Sequence, residues 1–329
     1  MELHTLFILC VILIAYLFDF INGFHDAANS IATIVTTGVL TPRQAVLWAA
    51  FFNFIAFLFF NLMVAKTIGS GLIDPSTVHV KLIFSALLGA IGWNLLTWYL
   101  GLPSSSSHAL IGGLTGAAIM QGGFSTLKLS GFIKVAIGLF ISPILGLAAG
   151  LTLTWLLTQC ICNFDAQKTN RLFNSLQLGS SALLCLTHGG NDAQKTMGII
   201  TILLFSASWL DDPSHIPLWV ILSCHLVIGL GTLMGGWRIV TTMGTKITPL
   251  NTLRGCGAEA GAAAIIFAAT DLGIPVSTTQ TVTGSIAGVG LLNGLKGTQW
   301  PMLKIIFISW LLTIPTSGLI AGLFSLLIH

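Results

Sequence analysis

Four long apolar runs without a charged residue constrain the fold of this chain more than any other feature. Each is close to the ~20 residues that an α-helix needs to cross a bilayer. The runs are Gln44–Ala65, Leu82–Leu100, Val135–Leu157 and Ile305–Ile328. The strict alternation of apolar and polar residues that marks strands is absent, and every backbone group in lipid must find a partner, which leaves helices. We therefore predict an all-α polytopic membrane protein in contact with membrane lipid.

The composition supports this prediction and excludes other classes of protein. Of the 329 residues, 54% are hydrophobic and only 7% are charged, whereas about 25% of the residues in a soluble domain are charged. The net charge of +3 is spread over short loops, so no basic stripe exists for a nucleic-acid partner. Residues 1–20 have no basic region and no small-residue cleavage site, and we predict that they form the first membrane helix.

Two polar motifs each occur twice, in the same order. The segment GLPSSSSH at 101–108 returns in altered form as GIPVSTTQ at 273–280. The segment GFHDAANS at 23–30 aligns in the same way with GGNDAQKT at 189–196. Repetition of both motifs indicates a duplicated chain, with an N-terminal repeat at 1–165 and a C-terminal repeat at 166–329.

The hydrophobicity pattern predicts four clean spans in each half, together with broken pieces, and leaves open whether each half crosses the membrane an odd number of times. Residues 102–123 are too interrupted for a clean span and favour a re-entrant hairpin or a broken helix. Residues 172–186 lead into the second acidic motif, a short segment follows at 199–209, and 217–237 is expected to span. The basic loop at 238–254 is predicted to be cytoplasmic.

Five carboxylates fall inside or at the edge of apolar segments, where an ionised carboxylate costs at least ~2.5–3.5 kcal/mol. For Asp19 and for Asp271, a position at the headgroup level and a functional position inside the membrane are equally good interpretations. Asp26 and Asp192 are related by the repeat and lie among small residues that allow the backbone to unwind. Carboxylate, amide and free carbonyl oxygens together suit a hard cation. We predict a cation site, with Na⁺ as a candidate ion, at Asp26, Asn29, Asn191, Asp192 and Glu259.

The two hydroxyl runs favour an anion. Pro103 and Pro275 can each end one segment and begin the next helix. A helix N-terminus offers unpaired N–H groups and about half a positive charge. The alternative is that these hydroxyls only bond their own or a neighbouring helix. The predicted anion-binding residues are Ser104, Ser105, Ser106, Ser107, Ser277, Thr278, Thr279 and Gln280.

A count of charges connects the two predicted sites. Neither hydroxyl run contains Lys or Arg, and Lys195 lies beside only one acidic motif. An anion in a dry cavity therefore has to be balanced mainly by bound cations, which is the physical basis of symport. His108 and His188 lie next to the motifs, where a neutral hydrogen-bonding role is favoured over metal ligation and where proton coupling is an alternative.

These motifs closely resemble those of the inorganic phosphate transporter (PiT) family, whose signatures look like GANDxANS and HGxNDxQKT. Here they read GFHDAANS at 23–30 and HGGNDAQKT at 188–196. The Pro-hydroxyl runs at 103–108 and 275–280 also match, and RGCGAE at 254–259 is similar to the family's segment before the second run. The resemblance covers nearly the whole chain.

The resemblance implies an inverted-repeat membrane fold and a bacterial-type symporter of phosphate with Na⁺ or H⁺ in the cell membrane. It implies no cofactor and no enzymatic activity. Asp26, Asn29, Asn191 and Asp192 would lie at cation sites, with the hydroxyl runs around phosphate. This chain departs from the family at Phe24 and His25, which replace Ala and Asn. It also departs at Gln280, where His is frequent, and at Leu87, where some members carry a carboxylate.

Other functions stay open at this point. A sulfate:cation symporter would keep the fold and change the anion, and a passive anion channel would lack accumulation against a gradient. A membrane enzyme is the weakest alternative and depends only on the adjacent Ser107 and His108. The choice between Na⁺ and H⁺ and the oligomeric state, with a homodimer among the states considered, are also open.

Overall fold

The computed structural model describes residues 2–74, 77–161 and 165–328, and these residues are almost entirely helical. The predicted all-α fold is confirmed. The helices in chain order are α1 (Glu2–His25), α2 (Ala27–Thr36), α3 (Pro42–Ile55), α4 (Met63–Ser70), α5 (Val80–Leu100), α6 (Ser106–Gly122), α7 (Leu129–Cys160), α8 (Ala166–Ser206), α9 (Leu218–Met234), α10 (Trp237–Thr245), α11 (Thr252–Asp271), α12 (Thr278–Gly290) and α13 (Trp300–Leu327).

The number of clean spans differs from the prediction. By length and composition, four helical stretches in the described ranges can cross a membrane, or six if each of two bent pairs is one span. The apolar run at 44–65 is not one helix, because the chain bends by 86° between α3 and α4. The segment at 217–237 likewise ends at Met234, and α10 departs at 74°. The expectation of four clean spans per half was wrong because apolar runs do not reveal such bends.

The backbone around the second acidic motif also differs from the prediction. Helix α8 begins after its N-cap Asp165, at the expected boundary of the two halves, and continues unbroken to Ser206. The chain therefore does not unwind at Asp192. Gly189 and Gly190 serve close packing instead, because a Cβ on either would overlap the backbone of Asn53 or the ring of Phe60.

The first acidic motif is interrupted by a single residue. Asp26 separates α1 from α2, yet its N–H still bonds the carbonyl of Asn22 at 2.8 Å. Free backbone carbonyls are therefore scarce at both motifs, and the side chains have to supply most of the polar groups of any site there.

Two helical hairpins carry the hydroxyl runs. Helices α5 and α6 are joined at Gly101, and α11 and α12 are joined at Gly273, both with φ of +67°. This left-handed conformation favours glycine. The hydroxyl of Ser105 caps α6 and that of Ser277 caps α12, each by accepting the N–H three residues later. The predicted interruption at 102–123 is thus a turn followed by one helix.

Each hairpin packs on a long helix from the other half of the sequence. Helix α6 lies on α13, where Gly116 meets the backbone of Gly318. Helix α12 lies on α7, where Gly288 meets the backbone of Leu147. A side chain at either glycine would overlap the opposite carbonyl oxygen, so the two contacts fix the depth of both hairpin tips.

We expect Gly116→Leu to destabilise the protein, because the new side chain has to push α6 away from α13. Overpacking typically costs about 1–3 kcal/mol, which thermal unfolding in detergent would detect as a lower Tm. Gly179→Leu is the matched control, since that helical glycine lies in α8 where a Cβ meets nothing within 4 Å. Equal Tm values for the two variants would contradict this packing.

Candidate functional site

The two hydroxyl runs meet inside the protein. The Ser107 hydroxyl donates to the Val276 carbonyl at 3.1 Å, and His108 Nδ1 lies 3.4 Å from Gln280 Nε2. The predicted anion-binding residues from Ser104 to Ser107 and from Ser277 to Gln280 are all buried. The runs therefore approach a common interior point and do not face lipid.

Several of these groups are already used for structure. Ser105 and Ser277 accept the N–H groups of His108 and Gln280 as helix caps. Ser104 shares a hydrogen bond of 2.8 Å with Thr97. These hydroxyls set the start of each helix and the shape of the turn before it.

The remaining hydroxyls connect the runs to the two carboxylates. Ser106 donates to Asp26 Oδ2 at 2.8 Å, and Thr279 donates to Asp26 Oδ1 at 3.3 Å. Thr278 donates to Asp192 Oδ2 at 3.4 Å. The Asn29 amide donates to Thr279 Oγ1 at 2.9 Å. Ser106, Thr278 and Thr279 of the predicted anion site thus form one hydrogen-bonded cluster with three predicted cation residues, Asp26, Asn29 and Asp192.

Each carboxylate also has a nitrogen neighbour. His25 Nδ1 lies 2.7 Å from Asp26 Oδ1, and its other ring nitrogen lies 3.1 Å from Thr97 Oγ1. Lys195 Nζ donates to Asp192 Oδ1 at 2.6 Å. His188 Nε2 lies 3.6 Å from Asp192 Oδ2.

The geometry of the two carboxylates suits a shared cation. One ligand atom from each of Asp26, His188 and Asp192 lies within 4.8 Å of the others. The side-chain oxygens of Asn29 and Asn191 are buried and have no hydrogen-bond partner. Buried polar atoms normally have partners, and an oxygen acceptor without one is a suitable ligand for a hard cation. The residues present therefore fit a Na⁺ ion.

Glu259 lies outside this cluster. Its carboxylate accepts hydrogen bonds from Thr33 at 2.6 Å, Gln177 at 2.9 Å and Ser180 at 2.5 Å. Thr33 is one helical turn beyond Asn29 on α2. Glu259 therefore occupies a second polar cluster next to the first, surrounded by neutral donors.

Sequence reasoning missed the three partners of Glu259. Gln177 and Ser180 lie three residues apart, about one turn, on the same face of α8. This spacing of two polar residues on one helix face was the only indication in the sequence that they share a polar partner. Thr97, which contacts both His25 and Ser104, carried no signal, because a single Thr in α5 is typical of membrane helices.

The two carboxylates whose depth the sequence left open are now distinguished. Asp271 is exposed at the end of α11 and accepts a hydrogen bond from Asn61 at 2.9 Å. Asp19 lies within α1, and its side chain is fully buried in the protein. Of these two, Asp271 alone lies at an exposed helix end.

Gln280 points to its repeat counterpart His108, and both also line a cavity of about 840 Å³. Most of the other lining residues are apolar side chains of α7, α12 and α13. Gln280 therefore lies at the border between the polar cluster and an apolar space.

Comparison with known proteins assigns this chain to a family. Residues 22–321 match the phosphate transporter family. The chain belongs to that family. A probable low-affinity inorganic phosphate transporter of Rhizobium meliloti is 52% identical over 313 residues, covering 95% of this chain and 94% of that protein. A protein of the same description from Bacillus subtilis is 43% identical over 325 residues, covering 98% of this chain and 97% of that protein.

A solved structure supports the fold independently. The structure described as the sodium-dependent phosphate transporter aligns with a TM-score of 0.89 at 24% identity, covering 98% of each chain. Membership of a family of transport proteins confirms the predicted transporter class, the membrane location and the absence of an enzymatic role.

We expect Ser106→Ala and Thr279→Val to weaken phosphate binding, because each removes a hydroxyl at the start of α6 or α12 that contacts Asp26 and that, in the predicted anion site, would turn to donate to phosphate. Hydrogen bonds to charged groups contribute about 1.5–3 kcal/mol, so the Kd measured by calorimetry on purified protein should rise about 10-fold or more. Thr115→Val is the control on the same helix, since that hydroxyl only bonds the Ile111 carbonyl. Unchanged affinity in both site variants would contradict the assignment.

Proposed function

We propose that this phosphate transporter is a cation-coupled symporter that carries inorganic phosphate together with Na⁺ or H⁺. The observation that carries the proposal is an imbalance of buried charge. Among the described residues, the buried carboxylates outnumber the buried ammonium groups by four to one. The carboxylates are Asp19, Asp26, Asp192 and Glu259, and the ammonium belongs to Lys195.

The imbalance makes phosphate binding unfavourable without accompanying cations. An ionised group in a low-dielectric interior needs a counter-charge, and phosphate adds further negative charge to the same region. The N-termini of α6 and α12 each contribute roughly half a positive charge. These two termini and Lys195 together do not offset four carboxylates and an anion, and a positive charge on each of the neighbouring His25 and His188 would still leave the sum negative. Cations or protons at the carboxylates supply the missing charge, which couples the two solutes.

The proposed phosphate site lies between the starts of α6 and α12. The first N–H groups of a helix have no partner within it and can bind an anion. The hydroxyls of Ser106, Thr278 and Thr279 lie at these positions and contact the two carboxylates. Phosphate bound here would lie beside a cation held by Asp26, Asn29, Asn191 and Asp192, and each solute would raise the affinity for the other.

Glu259 is proposed as a further cation ligand, in agreement with the sequence-based expectation. Its three neutral donors lower the cost of burying a carboxylate, and no buried Lys or Arg among the described residues contacts it. A cation at this second cluster would be one helical turn from Asn29, on the path from the central cluster to one face of the membrane.

We also propose that the two halves are inverted relative to each other. The Lys81 ammonium donates to the Ile328 carbonyl, which places the start of the α5–α6 hairpin beside the C-terminal end of α13. The Thr248 hydroxyl donates to the Gly297 carbonyl, which places the start of the α11–α12 hairpin beside the start of α13. The hairpins would therefore enter the membrane from opposite faces, with the site near the midplane.

The central experiment is uptake of radiolabelled phosphate into proteoliposomes, with the Na⁺ gradient and the pH gradient varied separately. A symporter accumulates phosphate above its external concentration only when one of these gradients is imposed, and the effective gradient identifies the coupling ion. Equilibration without accumulation under both gradients would instead support a passive channel. Competition by unlabelled sulfate would test the alternative anion.

We expect Asp26→Asn and Asp192→Asn to abolish gradient-driven uptake while leaving the protein in the membrane, because an amide cannot supply the charge that holds a cation. Asp271→Asn is the matched control, since that carboxylate is exposed and lies outside the cluster. Wild-type rates in either cluster variant would defeat the assignment of the cation site.

A further inference from the structure

Asp19 is a buried carboxylate for which the site described above has no role. It lies on α1, two turns before Asp26, and its side chain is fully buried. The Thr196 hydroxyl donates to Asp19 Oδ1 at 2.9 Å, whereas Oδ2 has no hydrogen-bond partner. A buried charged oxygen without a partner is costly, so this atom points to a ligand.

The side chain of Asn22 adds a second oxygen of the same kind. Asn22 is three residues after Asp19, which places both on one face of α1. Its amide nitrogen lies 3.5 Å from Asp192 Oδ2, and its Oδ1 is buried without a partner. Asn22 therefore lies between Asp19 and the central carboxylate Asp192. The two oxygens without a partner are Asp19 Oδ2 and Asn22 Oδ1.

The chemistry of these oxygens favours a metal cation over a proton. An amide oxygen such as Asn22 Oδ1 does not take up a proton near neutral pH. One oxygen-liganded cation can satisfy both atoms at once.

Asp19 and Asn22 lie on one side of the central carboxylates along the helix axis, and the Glu259 cluster lies on the other. Asp19 and Thr33 each lie seven residues from Asp26, on opposite sides of it along α1 and α2. At 1.5 Å per residue, seven residues of helix correspond to about 10 Å. Asp19 therefore lies toward the N-terminal end of α1, and the Glu259 cluster that Thr33 contacts lies toward the other face.

Neither flanking carboxylate is duplicated by the repeat. In the register that aligns Asp26 with Asp192, Asp19 corresponds to Cys185. In the register that aligns the two hydroxyl runs, Glu259 corresponds to Leu87. Each face of the membrane thus has one carboxylate of its own beside the shared centre.

We propose that Asp19 and Asn22, supported by Thr196, form a binding site for a monovalent metal cation of the Na⁺ class. It lies between the central carboxylates and the face of the membrane at which α1 begins, and a cation would bind there transiently. This inference rests on the proposed symport. Na⁺ that arrives from the face at which α1 begins binds here before it moves to Asp192, and Glu259 is the corresponding position toward the opposite face.

The test uses proteoliposomes in which the protein has one orientation, with Na⁺ and phosphate supplied from one face at a time. We expect Asp19→Asn to raise the half-saturating Na⁺ concentration about 10-fold or more for uptake from the face at which α1 begins. Transport from the opposite face, and phosphate exchange with saturating Na⁺ on both sides, should stay near wild type. Glu259→Gln should produce the opposite sidedness, and Asp271→Asn should change neither.

Three results would overturn the proposal. One is an unchanged half-saturating Na⁺ concentration in Asp19→Asn. Another is that Asp19→Asn slows uptake equally from both faces and also abolishes phosphate exchange, which would indicate that Asp19 has a structural role. If wild-type uptake follows pH and not Na⁺, the metal site is refuted while proton symport stands. If wild-type uptake follows neither gradient, the proposed function itself fails.

A second variant keeps the test decisive if Asp19→Asn does not fold. Thr196→Val keeps the carboxylate and removes only its hydroxyl donor, so a smaller rise of the Na⁺ requirement from the same face is expected. Wild-type Na⁺ dependence in Thr196→Val would then count against the site.

Discussion

The structure depends on a shortage of positive charge in its interior. Four buried carboxylates share the described membrane region with a single buried ammonium, which already binds Asp192. Bulk water cannot screen charges there as it does at the surface, so each carboxylate needs a nearby donor or cation. The hydroxyl caps, the helix N-termini and the asparagine amides surround the carboxylates with neutral dipoles. In the proposed symport, ions from solution supply the remaining charge, and this requirement links transport of the anion to transport of cations.

The helices hold this polar cluster in place by close backbone contact. Each hairpin packs closely on a long helix of the other half through a glycine. Gly116 contacts Gly318, and Gly288 contacts Leu147. Because the hairpin tips cannot withdraw independently, the Ser106 and Thr279 hydroxyls stay within reach of the same carboxylate. A movement that carries the site from one face to the other would have to move the tips and the long helices together, or move the cluster on α1, α2 and α8 relative to them.

The sequence predicted which polar residues come together better than it predicted the course of the backbone around them. Charge-free runs showed a helical membrane protein, and the repeated motifs identified Asp26, Asp192 and both hydroxyl runs, which the structure brings together. Apolar runs carry no information about bends, so the break after α3 was missed. The small residues around Asp192 suggested unwinding, yet they permit close helix packing. The partners of Glu259 come from α2 and α8, and tertiary contacts between distant helices leave little trace in one sequence.

The most direct test of this account is the affinity of purified protein for phosphate as a function of cation concentration, measured by calorimetry at fixed ionic strength. Binding of the anion and the cation should be reciprocal. If cations complete the charge of the site, phosphate binding is lost without the coupling cation, tightens steadily as the cation is added, and loses this dependence in Asp26→Asn. A phosphate Kd that stays the same at every Na⁺ concentration and every pH would contradict the claim that cations complete the charge of the site.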